Sequence, residues 1–433
     1  MVDKNLFLHD LSVVAIIKNE GSYLKEWLDY HLMAGVDHFY LYDNESPDNQ
    51  AEVVAPYVKD GLVDYFPLPG QAMQFAAYND AIKNFKFQSR YMAFIDADEF
   101  VYPKAEQVDG GGITDLVDKI TSQNPNSAGV AIHWHCFGTN GEEKADYSRG
   151  VLERFTRRAK SDWMIPRKNN PENRDAPGNC YVKVIVNPRK INFNQSPHQM
   201  VYFADNYVVD ENAKFVEGSR PLPITTEKFV INHYYLKSRE EFLRKVNRGS
   251  AARTVMKKKL EWFEQCDRNE IFDDGILKYR ATRAKIYQPP DKSHTIERLF
   301  MALSQNLLPS FILVTPKDFY SDKMETFLTC RAVSEYLKKI PEHEAMAKFF
   351  EEMSLIAVSK SLDKMSLGDA QLLIRELPNF LSLPYTVAGE LRDELIKRLP
   401  QITYDLHLDG HQREVIGINC LQDILKLKLL EDK

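Results

Sequence analysis

Apolar runs of strand length recur near the start of the chain, at residues 13–17, 38–42, 62–66 and 91–95, and helix-like segments separate them. Leu24, Trp27, Leu28, His31 and Leu32 fall at helical spacing between the first two runs, with Gly35 as the stop. Val53, Val54, Tyr57 and Val58 do the same between the second and third, with Gly61 behind them. Strand and helix in alternation predict a parallel α/β sheet whose ligand face lies at the C-terminal ends of its strands. After Gly110-Gly111-Gly112, read as a flexible joint, residues 113–120 have helical spacing and a strand follows around 130–136. Further strands at 181–186 and 229–235 make the sheet mixed, and a basic amphipathic helix starts at Arg239. Residues 160–179, crowded with Pro, Asn, Arg and Lys, read as a long surface loop of the kind that carries substrate contacts. From about Thr295 onward the periodicity is helical throughout, broken at prolines from Pro309 to Pro400. The expected domains are therefore 1–240 for the sheet, 241–294 as a basic helical connector, and 295–433 as an all-helical domain.

Composition narrows the function classes. The chain has 433 residues, room for a catalytic domain and a smaller one, and a formal net charge of −6 that argues against a general nucleic-acid binder. Basic residues nevertheless cluster from Lys237 to Lys259, where they could meet phosphates or an anionic membrane. The five cysteines lie far apart without a Cys-x-x-Cys pair, which suggests neither a disulfide framework nor a zinc knuckle and fits a reducing compartment. Nothing near the N-terminus reads as a secretion signal. The most apolar later stretch, 299–314, is interrupted by Ser304, Gln305, Asn306, Pro309 and Ser310, as a membrane span rarely is. A cytoplasmic protein, soluble or peripheral at the inner membrane face, is expected.

The chemistry centres on Ala93-Phe94-Ile95-Asp96-Ala97-Asp98-Glu99-Phe100, an apolar strand running into two carboxylates at i, i+2. If strand geometry persists, both point to one side, where they suit a divalent cation that also holds a diphosphate; the bland alternative is a solvated acidic loop. Neither Gly-x-Gly-x-x-Gly nor a Walker-type Gly-Lys-Ser/Thr is present, so phosphate must be held in another way. The first strand ends instead in Lys18-Asn19-Glu20 and the second in Tyr42-Asp43-Asn44-Glu45-Ser46-Pro47-Asp48. Polar groups there suit a base and ribose, or else Asn19, Ser46 and Asp48 cap the following helices. His133 and His135 share a strand face, but with no third or fourth zinc ligand at hand they read as core or pocket-wall residues. Trp134 or Phe137 could stack on a pyranose, and the glycines of Phe137-Gly138-Thr139-Asn140-Gly141 would permit close approach of a sugar.

The order VAIIKNEGSYLKEWLDYHLMAGVDHFYLYDNESPD, YMAFIDADEF, FGTNG, ERFTRR and INHYYLKSREEFLRKVNRG, over roughly residues 10–250, resembles glycosyltransferase family 92 and its bacterial relatives. The resemblance does not extend to the helical region. It implies a GT-A fold, with a Rossmann-like mixed central sheet, a nucleotide-sugar donor, a divalent metal (manganese, or magnesium) and inversion at the anomeric carbon. Characterised relatives commonly use UDP-galactose. Carried over residue by residue, it implies that Asp98 binds the cation directly, that Asp96 faces ribose or sugar as well, and that Asn19, Glu20 and Asp43, beside Lys18, meet the nucleoside. Gln74, Asn79 and Asp80 of QFAAYNDAI are expected to line the donor pocket.

A third metal ligand is expected later in the chain. His233 is favoured, with Lys237 four residues on to neutralise the departing diphosphate; His198 is the alternative metal or sugar contact. For the carboxylate that deprotonates the acceptor, Glu153 of ERFTRR and Asp162 are the candidates, with Asp175 behind them; Glu153 could instead simply pair with Arg154 or Arg157. The expected partners are a UDP-sugar, a glycan or lipid-linked glycan acceptor of a surface polysaccharide or lipopolysaccharide, and another copy of the chain through the C-terminal helices. Two other readings stay open: a non-catalytic nucleotide or sugar-binding scaffold, and a metal-dependent nucleotidyltransferase.

Overall fold

The computed structural model is described for residues 9–86, 88–107, 109–165, 178–202, 205–248 and 260–290. The chain divides into two units, Met1–Thr295 and Ile296–Lys433, and all described residues belong to the first. The all-helical reading of 295–433 and the middle of the 160–179 loop, with Asp175, lie outside them.

The N-terminal half follows the hydrophobic pattern: β1 (His9–Ile17), α1 (Gly21–Met33), β2 (His38–Asp43), α2 (Gln50–Lys59), β3 (Val63–Pro67), α3 (Gln74–Phe85) and β4 (Ser89–Phe94). β1 pairs in parallel with β2 and β4, and β2 with β3. Next come β5 (Glu99–Tyr102), α4 (Ile113–Thr121), β6 (Ser127–Cys136), α5 (Val151–Arg154) and β7 (Arg157–Arg158). Strands β8 (Val182–Val186), β9 (Ile191–Ser196), β10 (Gln199–Tyr202), β11 (Tyr207–Val209) and β12 (Val230–His233) complete the sheet region. Finally α6 (Arg239–Arg248), α7 (Leu260–Cys266), β13 (Ile271–Phe272) and α8 (Gly275–Arg283) close the unit. The central sheet has the order β3-β2-β1-β4-β8-β6-β12-β5, with β11 added on β6. β8 runs antiparallel between β4 and β6, so the sheet is mixed, with helices on both faces, as the GT-A fold requires.

Alternation along the strands splits the interior into two cores. Leu11, Val13, Ala15 and Ile17 of β1 face Leu24, Trp27 and Leu28 of α1, whereas Val14 and Ile16 face the other way, toward Ala77, Tyr78 and Ala81 of α3. A one-residue slip of β1 would exchange these two sets and set each side chain against the wrong neighbours in two close-packed cores; this pins the register that places the strand ends.

Three readings of the chain change here. The strand does not carry on through the acidic pair: β4 ends at Phe94, the chain turns with Glu99 N–H donating to the Asp96 carbonyl at 3.0 Å, and β5 leaves antiparallel to β12. The three glycines at 110–112 are not a loose joint. The Gly110 and Gly111 carbonyls accept from Arg283 and Tyr279 of α8, and a Cβ on Gly111 would meet the Glu106 carboxylate at 2.2 Å, so close packing is what requires glycine. The stretch 241–294, read as a connector, supplies α7, α8 and most of α6 to the sheet unit, with Tyr279 wholly buried in the core on the α1 face.

Candidate active site

The turn after β4 presents its two carboxylates to different neighbours, because the chain bends between them. Asp96 accepts from Gln74 Nε2 of α3 at 2.9 Å and from Lys183 Nζ of β8 at 3.0 Å. Lys183 is fully buried and also lies 3.7 Å from the Glu99 carboxylate, which in turn accepts the Asp96 N–H at 2.9 Å. Burial works to raise the Asp96 pKa, and the Lys183 ammonium outweighs it, so the carboxylate is held ionised. Glu99 goes the other way: burial, with Asp96 and Asp98 nearby, lifts its pKa well above the ordinary carboxylate range despite Lys183. Glu99 and Lys183 were not singled out from the sequence. The signal was there in Lys183, a lone cation in the apolar run Tyr181-Val182-Lys183-Val184-Ile185-Val186.

Asp98 belongs to a second cluster built by β12 and the segment behind it. His233, the last residue of β12, pairs with Glu99 of β5 and Cys136 of β6, and this register brings its Nε2 to 3.5 Å from the Asp98 carboxylate. Lys245, on α6, hydrogen-bonds the other Asp98 oxygen. Burial would raise the Asp98 pKa, yet Lys245 and then His233 hold it well below the usual range. Lys237 lies at the same end of the sheet, buried, 4.0 Å from Glu20 and with its ammonium 4.1 Å from the centre of the Tyr23 ring. Burial lowers its pKa against the pull of Glu20 and Asp98. Arg248, one turn beyond Lys245, pairs with Glu20 at 2.5 Å and hydrogen-bonds the Lys18 carbonyl. Neither Lys245 nor Arg248 was named individually, although both fall in the basic stretch expected to meet phosphates.

At the ends of β1 and β2 the expected nucleoside contacts are interlocked. Asn19 adopts φ +54°, its N–H donates to Ser46 Oγ at 3.0 Å, and its Oδ1 is buried without a hydrogen-bond partner. Asp43 accepts from the Ser46 N–H and from Gln50 Nε2, both at 3.1 Å. Asp48 accepts the Gly21 N–H at 2.9 Å, so it caps α1 from the neighbouring loop as well as standing before α2. Of the α3 residues, Gln74 and Tyr78 reach the acidic turn, Tyr78 Oη donating to Asp96 at 3.5 Å. Asn79 accepts the Asn194 N–H of β9 at 2.8 Å, and the exposed Asp80 accepts from Tyr42 Oη at 2.8 Å, so these two brace the scaffold.

Aromatic rings wall the cleft beside Asp98. Trp134 packs against His233, Tyr181 and His198 with ring centres 4.2, 5.2 and 5.2 Å away. His198 is held by the Val182 carbonyl at 3.0 Å, and burial, reinforced by Lys183, pushes its pKa down to about 3, leaving a neutral imidazole. Because side chains alternate along β6, His133 and His135 are set on the opposite face from Trp134 and are buried, His133 against the Pro221 carbonyl at 3.2 Å and His135 3.8 Å from Asp273. Phe137 is core, its ring tilted against Tyr234 with centres 4.6 Å apart. The start of the turn after it is packed, since a Cβ on Gly138 would meet Asn269 Oδ1 at 2.4 Å and Thr139 N–H donates to Asp267 at 2.8 Å, whereas Gly141 at its end is exposed with open space around it. Of the two carboxylates considered as base, Glu153 is exposed and pairs with Arg280 of α8 at 2.7 Å, not with Arg154 or Arg157. Arg154 is bound instead to Glu241 and Glu142. Asp162 is exposed, shortly before residues 166–177.

For a divalent cation, Asp98 offers a hard carboxylate oxygen and His233 a neutral nitrogen donor, with a buried Nδ1 that has no hydrogen-bond partner. Among the described residues no group of three or more His, Cys, Asp or Glu side chains is set to hold a metal. Asp98 and His233 are two donors, and a cation held between them would need its remaining ligands from oxygens outside this pair, such as those of a diphosphate or water. No helix among the described residues is long and apolar enough to cross a membrane.

A Ricinus communis protein described as glycosyltransferase family 92 is 23% identical over 248 residues, 57% of this chain and 39% of its own length. An Arabidopsis thaliana galactan β-1,4-galactosyltransferase is 29% identical over 93 residues, 19% of this chain and 18% of its own. The chain thus spans well under half the length of these plant relatives. Among solved structures, residues 1–349 of S. aureus TarS align with 87% of this chain and 93% of theirs, at 12% identity and a TM-score of 0.30, a likeness too low to argue from. The family model for glycosyltransferase family 92 matches residues 14–274, more than half of the 433, and the chain belongs to that family.

Proposed function

We propose that this chain transfers a sugar from a nucleoside diphosphate donor to a glycan acceptor, with inversion, using a divalent cation, manganese or magnesium, and that UDP-galactose is the first donor to test. The observation that carries the reading is the convergence, at the C-terminal ends of parallel strands, of Asp98 and His233 with Lys237, Lys245 and Arg248. Carboxylates alone repel a diphosphate; carboxylates ringed by cations suit a metal–diphosphate pair. A bound cation would take Asp98 and His233 as ligands and supply charge neutralisation to the leaving group.

This chain's own residues then divide the remaining tasks. Asp96, fixed by Lys183 and Gln74, is placed to accept from ribose or sugar hydroxyls. Trp134 and His198 offer an apolar, neutral wall to a pyranose face. In the transfer the acceptor oxygen bonds to the anomeric carbon as the bond from that carbon to the diphosphate oxygen breaks, the diphosphate leaves with the electron pair, and the acceptor proton passes to a carboxylate. Asp162, exposed beside the 166–177 segment, remains available for that role, whereas Glu153 is engaged by Arg280. A surface polysaccharide or lipopolysaccharide acceptor is the proposed context.

The test is to incubate the purified protein with a panel of nucleotide sugars, with and without Mn2+, and to measure released nucleoside diphosphate. Cation-dependent release from one UDP-sugar that Asp98→Asn abolishes supports the proposal. Calorimetry giving equal UDP affinity for wild type and Asp98→Asn, insensitive to EDTA, would sink the metal assignment.

A further inference from the structure

The two carboxylates at the ends of β4 and β1 each carry a cation from one helix. Lys245 of α6 hydrogen-bonds Asp98, and Arg248, on the same face three residues later, binds Glu20 and the Lys18 carbonyl. Lys245 is seated rather than dangling. Its ammonium also donates to the Tyr235 carbonyl at 3.2 Å and lies 4.3 Å from the centre of the Tyr235 ring, and its side chain is 16% exposed. The neutral His233 ring faces the same carboxylate and Lys237 lies 4.0 Å from Glu20, so Lys237, Lys245 and Arg248 bring positive charge to these carboxylates before any ligand arrives.

Lys245 takes one Asp98 oxygen and leaves the other toward His233, and a dication coordinated there would be repelled by the Lys245 ammonium at close range. Lysine differs from a fixed ligand in its flexible four-carbon stem, which can swing its charge without moving the helix. We propose that Lys245 is an exchangeable counter-ion of Asp98: it holds the carboxylate in the donor-free protein, yields it to the divalent cation that comes with the nucleoside diphosphate, and turns with Arg248 to the diphosphate. The inference rests on the donor and cation reading above and adds a thermodynamic consequence to it. Cation alone binds against the Lys245 charge, with no diphosphate for the ammonium to turn to, so it binds weakly; cation and nucleotide together bind with positive coupling, each raising the affinity of the other by the same factor.

Isothermal titration of the full chain with MnCl2 alone, UDP alone, and UDP at saturating Mn2+ tests this, comparing wild type with Lys245→Met and Lys245→Arg. Lys245→Met should bind Mn2+ alone about ten-fold more tightly or better, because its competitor is gone, while its affinity for UDP with Mn2+ falls by about ten-fold. Lys245→Arg, which keeps the charge, should retain weak Mn2+ binding, and Asp98→Asn placed on Lys245→Met should erase the gain. A merely structural lysine would lower both affinities together. The proposal is overturned if Lys245→Met leaves Mn2+ affinity unchanged or reduced, or if Lys245→Arg gains as much as Lys245→Met. In that case wild-type binding of UDP with Mn2+ keeps the function reading standing, whereas wild type that binds no UDP in any of the titrations overturns both.

Discussion

At the scale of single residues, Lys183 decides the state of the acidic turn. It is a fully buried ammonium that hydrogen-bonds Asp96 at 3.0 Å and lies 3.7 Å from Glu99, and it holds Asp96 ionised. Removing it takes a charge-assisted hydrogen bond from Asp96, whose side chain is 35% exposed, at a cost of about 1.5–3 kcal/mol. Lys183→Met should therefore destabilise the protein by about that amount in urea unfolding. Lys183→Met with Asp96→Asn should recover a large part of the loss, since the two residues act on each other directly. Additive losses in that double-mutant cycle would show that the pair is not coupled as its geometry requires.

At the scale of elements, α6 brings its cations to the site only because its first turn is pinned. Glu241 accepts from Arg154 on α5 at 3.0 and 2.7 Å, from the Ser238 N–H at 2.9 Å and from Tyr23 Oη at 2.7 Å. Burial opposes ionisation of Glu241, but Arg154 and then Ser238 win and bring its pKa from 4.5 down to about 2. A carboxyl whose folded pKa lies below its unfolded value adds stability that is fully present above pH about 4.5 and is lost as pH falls through about 2. The shift corresponds to about 3 kcal/mol. Glu241→Gln should lower stability by roughly this amount at pH 7 and shrink the loss between pH 5 and 2, read as the pH dependence of the urea midpoint. An unchanged midpoint at pH 7 would mean that α6 is anchored by other contacts. The same substitution should weaken UDP binding in step, because Lys245 and Arg248 lie one and two turns further along the helix.

At the scale of the whole chain, donor chemistry and the C-terminal 295–433 region are proposed to be separable. Every residue placed in the candidate site lies before Pro290, and the family match ends at residue 274. A chain ending at Pro290 should keep UDP-sugar hydrolysis while losing oligomerisation or transfer to the natural acceptor. Light scattering and an acceptor assay check this, and full transfer with an unchanged oligomeric state would leave the last region a structural cap.

What the amino-acid sequence determined by itself was whatever depends on local periodicity. The strands of the parallel half, their helices and the mixed character of the later sheet follow from apolar spacing, because alternation and the helical repeat are written residue by residue. The acidic pair Asp96 and Asp98 stood out at i, i+2, the basic stretch after Lys237 as a local run of charge, and His233 through the resemblance to the family. Tertiary structure alone decided who meets whom. It turned the chain between Asp96 and Asp98, so that the two carboxylates serve different clusters, and it put Lys183 between Asp96 and Glu99. It moved Asn79 and Asp80 to the scaffold, paired Glu153 with Arg280, and packed the glycines of 110–112 under α8. Each of these contacts joins residues distant in the chain, and its existence depends on strand order and helix docking, which no local pattern encodes.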